Sequence, residues 1–274
     1  MRGSSRASLA EAKGRLAEIL DAAPRSRKVP GDIGDEMFAV TGLLDREAGL
    51  RRMLSDPARD GRAKASLAEA LLGGKISAAT LDLVTTLVSA RWSEPADLAG
   101  AAEQLAVLAI VEGADAEGTL DELEDELFRF GRIVDAEPDL RVALSSPFVD
   151  PERKQQLLDA LLAGKVTPPA LRLITEAAFH PRGRSLDKSL GEYAGLAAQR
   201  RERLVAEVHV AAELSGEQRS RLAAALAAAY GHDVHLNVVL DPEVIGGMSV
   251  RIADDLIDGS LATRLAALRR RLAA

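Results

Sequence analysis

The sequence predicts a mainly helical α+β chain, with two related helical bundles on the amino-terminal side followed by a small α+β domain. Three observations carry this prediction. Alanine and leucine abound while aromatic residues make up only 3%, a balance that favours close packing of helices over sandwiches or barrels. A leucine-rich stretch with helical spacing occurs twice. After Leu204 the apolar period shortens to two, the period of a half-buried strand. A chain of 274 residues is also longer than one core usually supports, so two or three domains are expected.

In chain order, Ser8 and Glu11 form the pattern of a capping box. Leu9, Leu16, Ile19 and Leu20 follow at helical spacing, which predicts a first amphipathic helix over 8–23. The preceding MRGSSRAS is rich in Arg and Ser as transit peptides are, but Glu11 and Glu18 follow without an apolar core, so it reads as a frayed helix start. Residues 24–34, with two prolines and two glycines, read as a linker. Residues 36–85 then align without a gap on residues 126–175, with about 20 identities in 50 positions. Matched pairs include Phe38 with Phe128, Asp45 with Asp135, Pro57 with Pro147 and Gly74-Lys75 with Gly164-Lys165. Each copy reads as helix, short helical turn ending in Leu-Ser, proline-marked loop, helix, Gly-Lys stop and helix. In the second copy, Asp150-Pro151 places a capping side chain before a proline at the first helical position.

Between the copies, residues 95–112 form a helix carrying Leu98, Leu105, Leu108 and Ile110. Thr119 and Glu122 make another capping box, for a helix over 120–134. Residues 189–203 are a helix leading out of the second copy. Leu204, Ala206, Val208 and Val210 alternate with more polar neighbours, and Ser215 with Gln218 caps a helix bearing Leu222, Leu226 and Tyr230. Val234 to Leu240 is a β-branched run closed by Asp241-Pro242, since proline cannot donate to a ladder. Gly246-Gly247 supplies a turn, 248–253 a strand, Asp254-Asp255 a turn and 256–258 a short strand. Gly259-Ser260 then opens a last helix with Leu261, Leu265, Leu268 and Leu272 on one face.

The order of strand, Ile-Gly-Gly turn, strand, Ile-Asp-Gly-Ser and terminal arginine-bearing helix resembles the carboxy-terminal domain of the delta subunits of F-type ATP synthases, whose mitochondrial counterpart is the oligomycin-sensitivity-conferring protein. The residues that carry the resemblance are Asp241, Pro242, Ile245, Gly246, Gly247, Val250, Arg251, Ile257, Asp258, Gly259, Ser260 and Leu265. Placed on that family, residues 97–203 correspond to its helical bundle, 204–274 to its α+β domain and 1–96 to an added, degenerate bundle. The helix around Leu105 then serves both bundles. The length resembles that of lengthened actinobacterial members, without an amino-terminal membrane helix. The resemblance implies a non-catalytic stator subunit of the peripheral stalk, with the bundle taking amino-terminal helices of alpha subunits and the α+β domain gripping the b subunit. It implies a peripheral position at the cytoplasmic face of the cell membrane and no cofactor. The competing reading is a helical-repeat adaptor unrelated to ATP synthase, which gives no reason for the terminal motif.

Composition narrows the remaining classes. A net charge of −7 and a pI near 5.3 argue against a phosphate-tracking nucleic-acid surface. Without cysteine there is no disulfide framework or thiolate metal site. Asp97, Glu103 and Glu112 interrupt the most apolar stretch, so no membrane insertion is expected. The GGK at 73–75 and AGK at 163–165 lack the GxxxxGK[ST] pattern and close leucine-rich helices. His232 and His235, three apart beside a strand, face opposite sides and do not form a metal pair. The acidic residues Asp121, Glu122, Glu124, Asp125 and Glu126 fall in the first turns of a helix, where the dipole favours negative charge. No catalytic arrangement stands out. Asp241, Pro242, Gly246, Gly247, Asp258, Gly259 and Ser260 are read as structural. Trp92, Arg182 and Arg184, at the corresponding edges of the two copies, are the candidate interface residues.

Overall fold

The structure is a computed structural model and describes residues 3–22, 28–146, 148–201, 204–212, 214–230, 234–241, 247–252 and 255–258. Its order is α1 (Gly3–Ala22), α2 (Lys28–Arg46), α3 (Ala48–Ser55), α4 (Gly61–Leu72), α5 (Ala78–Ser89) and α6 (Pro95–Ala116). There follow α7 (Leu120–Ala136), α8 (Pro138–Ser145), α9 (Pro151–Leu162), α10 (Pro168–Phe179) and α11 (Leu186–Arg201). The remaining elements are β1 (Leu204–Val210), α12 (Gly216–Tyr230), β2 (Val234–Leu240), β3 (Met248–Ile252) and β4 (Asp255–Asp258). The fold is thus mainly α with a small α+β part, and it divides into two compact units, 1–198 and 199–274.

Within the first unit, α2 to α5 and α7 to α10 repeat one plan, and local chemistry explains their boundaries. Asp60 and Asp150 cap α4 and α9 through their carboxylates, and Ser77 and Thr167 cap α5 and α10, each satisfying backbone N–H groups that have no helical partner. Gly74 and Gly164 follow α4 and α9 with φ of +73° and +71°, the left-handed region in which glycine carries no Cβ penalty. The helix between the copies, α6, packs on α1, α2, α3 and α5 on one side and on α7 and α10 on the other. It has fourteen buried residues, among them Leu98, Leu105, Val107 and Val111. A helix apolar on nearly all sides needs cover on all sides. One continuous core therefore runs from Ala12 of α1 to Ala197 of α11.

Three local readings are corrected by packing. First, α1 starts at Gly3, so Ser8 lies inside it and caps nothing; its hydroxyl donates to the Arg91 carbonyl at 2.7 Å. Ser5 donates to Asp97 at 2.7 Å and accepts from the Ser93 N–H, so this serine-rich face ties α1 to the α5–α6 junction. Second, the expected linker over 24–34 is helical from Lys28 onward. Pro30 sits in the first turn, where its missing N–H costs nothing. Gly34 lets α2 approach α6: a Cβ there would lie 2.6 Å from Ile110 Cδ1. Third, Thr119 precedes α7 without a capping hydrogen bond; its hydroxyl turns back to the Ala114 carbonyl of α6.

In the second unit the sheet order is β2-β1-β3-β4, with β1 parallel to β2 and antiparallel to β3, and β3 antiparallel to β4. Ala206, Val208 and Val210 of β1 are buried, as the alternation predicts, and meet Val250 and Ile252 of β3 and Leu226 of α12. The parallel β1–β2 pair is bridged by α12, as a parallel connection requires. Ser215 and Gln218 form the reciprocal capping box of α12, Ser215 N–H donating to the Gln218 side chain and Gln218 N–H to the Ser215 hydroxyl. The expected last helix lies outside the described residues.

Candidate interaction surfaces

The most polar feature of the first unit is a web of charges on α6. Glu103 is buried, and its Oε1 accepts from Arg182 at 2.9 Å, from Tyr193 Oη at 2.6 Å and from Arg184. Arg182 also donates to Glu176 of α10 at 2.9 Å and, through Nε, to Asp45 of α2 at 2.6 Å. Arg172 of α10 continues the web to Glu176 and to Asp35 of α2. The web therefore spans both copies and their shared helix. Burial works against the Arg182 charge, but Glu103, then Glu176 and Asp45, outweigh it and hold its pKa above the ordinary arginine value. Burial, reinforced by Glu103, pushes the Tyr193 phenol up, so it stays a donor.

A second polar device occurs once in each copy. Glu36 accepts from the Ser77 N–H and hydroxyl and from the Thr80 hydroxyl; Glu126 accepts from the Thr167 N–H and hydroxyl. Each carboxylate thereby clasps the start of the last helix of its copy. Burial would raise the Glu36 pKa, but the bonds from Ser77 and Thr80 prevail and hold it below the usual 4.5. Lys64 and Lys154, also equivalent, are buried, and their ammonium groups donate to the Ala90 and Ala178 carbonyls; burial lowers both pKa values. Sequence reasoning missed these pairs. The available signal was a charged identity at the same place in both copies, Glu36 with Glu126 and Lys64 with Lys154, but exposed positions such as Glu47 with Glu137 and Lys75 with Lys165 share it, so it does not single out the buried pairs.

The apolar surfaces differ between the copies. In the first, Val40, Leu44, Leu54, Val84 and Leu98 line a cavity of about 20 Å³ with a wholly apolar wall and the exposed Leu71 at its edge. In the second, Phe128, Ile133, Val142 and Phe148 are exposed.

Of the candidate interface residues, Trp92 is buried and its indole N–H donates to the Leu87 carbonyl. Arg182 and Arg184 meet on Glu103, and Arg184 also pairs with Glu192, so all three residues make polar contacts inside the chain. In the second unit, Asp241 donates its N–H to the Val210 carbonyl at 2.9 Å and places a carboxylate oxygen 3.2 Å from His209 Nδ1. Gly247 has φ +81°, which explains glycine before β3. Asp258 pairs with Ser249 in the ladder. Pro242, Gly246, Gly259, Ser260 and His232 lie outside the described residues. The Gly-Lys sequences end α4 and α9. In the acidic run, Glu126 is used by Thr167 and Asp125 pairs with Arg129. Among the described residues no three His, Asp or Glu side chains are grouped as a metal site would require, and no helix is long and apolar enough to cross a membrane.

A helical-repeat scaffold with a small α+β unit, many of whose buried polar residues join helices, places the chain in a class of mainly helical scaffold proteins. Comparison with known proteins specifies the class. Residues 107–272 match the family described as ATP synthase delta (OSCP) subunit. The chain is 46% identical over 273 residues to ATP synthase subunit delta of Thermobifida fusca, with all of both chains covered. It is 48% identical over 271 residues to the Streptomyces avermitilis protein of the same name, covering 99% of this chain and 98% of that one. With Acidothermus cellulolyticus ATP synthase subunit delta it shares 44% over 273 residues, again end to end. The chain belongs to the ATP synthase delta (OSCP) subunit family.

Proposed function

We propose that the chain works as a non-catalytic stator subunit in the peripheral stalk of a proton-translocating F-type ATP synthase. It links alpha subunits of the catalytic head to the b subunit, so that rotor torque is converted into ATP synthesis. The observation that carries the reading is the end-to-end similarity to proteins named ATP synthase subunit delta. In this reading residues 97–203 are the family's bundle, 1–96 an added bundle offering a further stator contact, and 204–274 the domain that grips b. The protein sits peripherally at the cytoplasmic face of the cell membrane, held there by its partners.

The physics of the scaffold supports the assignment. An exposed apolar face on a helical bundle suits an amphipathic partner helix, and the second copy exposes Phe128, Ile133 and Val142. Two modest contacts made by one chain hold a head against torque through effective concentration, without either being very tight. Trp92, Arg182 and Arg184 enter this reading as residues that keep the binding faces in place. Asp241, Pro242, Gly246, Gly247, Asp258, Gly259 and Ser260 shape the second unit.

The test is binding of the full chain to the amino-terminal peptide of an alpha subunit and, separately, to the carboxy-terminal segment of a b subunit, both from the same organism. Hydrogen exchange would map each contact. The alpha peptide is expected to protect amides within 1–198 and the b segment amides within 199–274. Binding of neither peptide, with both shown to be competent, would favour an adaptor unconnected with ATP synthase.

A further inference from the structure

The first copy of the repeat shows how one of its faces is covered. Asp35, Phe38 and Asp45 lie along one stripe of α2, and residues of the second copy lie over them. The Arg172 guanidinium is 4.6 Å from the Phe38 ring centroid and donates to Asp35, while Arg182 donates to Asp45 at 2.6 Å. Phe38 is consequently only 4% exposed. An arginine stacked on an aromatic ring beside a carboxylate satisfies its charge and its flat apolar surface together, and here a second arginine meets the carboxylate ten residues further along α2.

The second copy carries the same trio, at Asp125, Phe128 and Asp135 of α7. No third helical copy follows, since the chain passes from α11 into the α+β unit. Phe128 is 58% exposed. Asp125 pairs with Arg129 of its own helix, and both side chains are largely in solvent, where such a pair contributes little. Ile133 on the same helix and Val142 on α8 are also exposed. Terminal repeats normally present a polar outer face; this one presents an aromatic ring flanked by acids.

We propose that the Asp125–Phe128–Asp135 stripe of α7 is a docking surface for a helical segment of another protein that carries arginines among apolar residues, one guanidinium lying over Phe128 beside Asp125, as Arg172 lies over Phe38 beside Asp35, and a second reaching Asp135, as Arg182 reaches Asp45. A second copy of this chain, adding end-on through its own first repeat, does not fit. Arg172 and Arg182 have Asp82 and Trp92 as their first-copy equivalents, which would set a carboxylate against Asp125 and offer a buried indole to Asp135.

The inference rests on the stator reading only for the choice of complex in which it is tested. A photo-reactive p-benzoylphenylalanine at position 128 of the full chain, incorporated into ATP synthase, is expected to label an arginine-bearing helical segment of another subunit. Asp125→Lys with Asp135→Lys should lower the adduct yield roughly tenfold or more, as reversal of interface charges does. Because all three positions are exposed, the variants should keep the circular dichroism of the parent. Labelling of a second copy, of lipid, of residues 199–274 or of an arginine-free segment overturns the proposal, as does absence of an adduct in a complex that retains the chain. A chain that does not co-purify with the complex counts instead against the stator reading, and a second arm then decides. In that arm the probe is a synthetic peptide of residues 168–185, the stretch carrying Arg172 and Arg182. It should label position 128 more strongly than its Arg172→Gln, Arg182→Gln version, and equal labelling overturns the proposal.

Discussion

Arg182 is the residue on which most of the buried charge depends, because it alone touches Glu103, Glu176 and Asp45. Its side chain is 11% exposed, against 5% for Glu103 and 6% for Glu176. Removing one member of such a group leaves the others charged and desolvated, so Arg182→Met should lower stability by about 3–5 kcal/mol. Glu103→Gln in the same chain should return part of that loss. Urea unfolding followed by the single tryptophan, Trp92, gives both numbers. Glu36 supplies a pH test. Its folded pKa lies below the usual 4.5, so the folded state favours the carboxylate; the resulting stability is present above about pH 4.5 and is lost as pH falls through the folded pKa. Glu36→Gln should therefore be less stable than the parent at neutral pH by about 1.5–3 kcal/mol, and the gap should close below pH 4.5. A gap that stays constant down to pH 3 would mean that the clasp to Ser77 and Thr80 does not depend on the charge.

Helix boundaries show which signals are local and which are not. Asp150-Pro151, Gly74, Gly164 and the Ser215–Gln218 box were legible because each acts on backbone groups within a few residues. Ser8 with Glu11 has the same local pattern, yet its hydroxyl serves Arg91, 83 residues away. Pro30 and Gly34 look like linker residues until α6 is beside them. The charge web was illegible for a related reason: Arg182 and its repeat equivalent Trp92 have unlike chemistry, so aligning the copies hides rather than reveals the pairing. Gly34 makes the point testable at the level of the α2–α6 pair. An added Cβ would meet Ile110 at 2.6 and 2.8 Å and the Ala106 carbonyl at 3.2 Å. Gly34→Ala should thus cost about 1–3 kcal/mol through overpacking, despite alanine's higher helix propensity. Ile110→Ala should relieve part of it, and a double-mutant cycle on the urea midpoints measures the coupling. Strict additivity would show that α2 and α6 are not in contact there.

At the scale of the whole chain, the family resemblance was legible in the tail, and so was the sharing of the helix around Leu105 between the bundles, which α6 bears out; the side-chain links across the copies were not. An internal repeat suggests modules that fold separately, but the shared helix argues otherwise. α6 buries residues toward both copies, and Arg172 and Arg182 of the second copy reach Asp35 and Asp45 of the first. In an array of repeats the stability of each unit includes its interface with the next, and here that interface contains a whole helix together with a charge web. The first unit should therefore unfold as one cooperative body. Trp92 fluorescence reports the first copy and hydrogen exchange of the α10 amides the second; coincident denaturant midpoints are the expected result, since coincidence of independent probes is the test of all-or-none unfolding. Gly34→Ala sharpens the test, because its lesion lies between α2 and α6 and touches no residue of α10. If α6 couples the copies, both probes shift together by the same increment. If only the Trp92 transition moves, the copies are separable, and the added bundle could flex against its neighbour when torque reaches the stator.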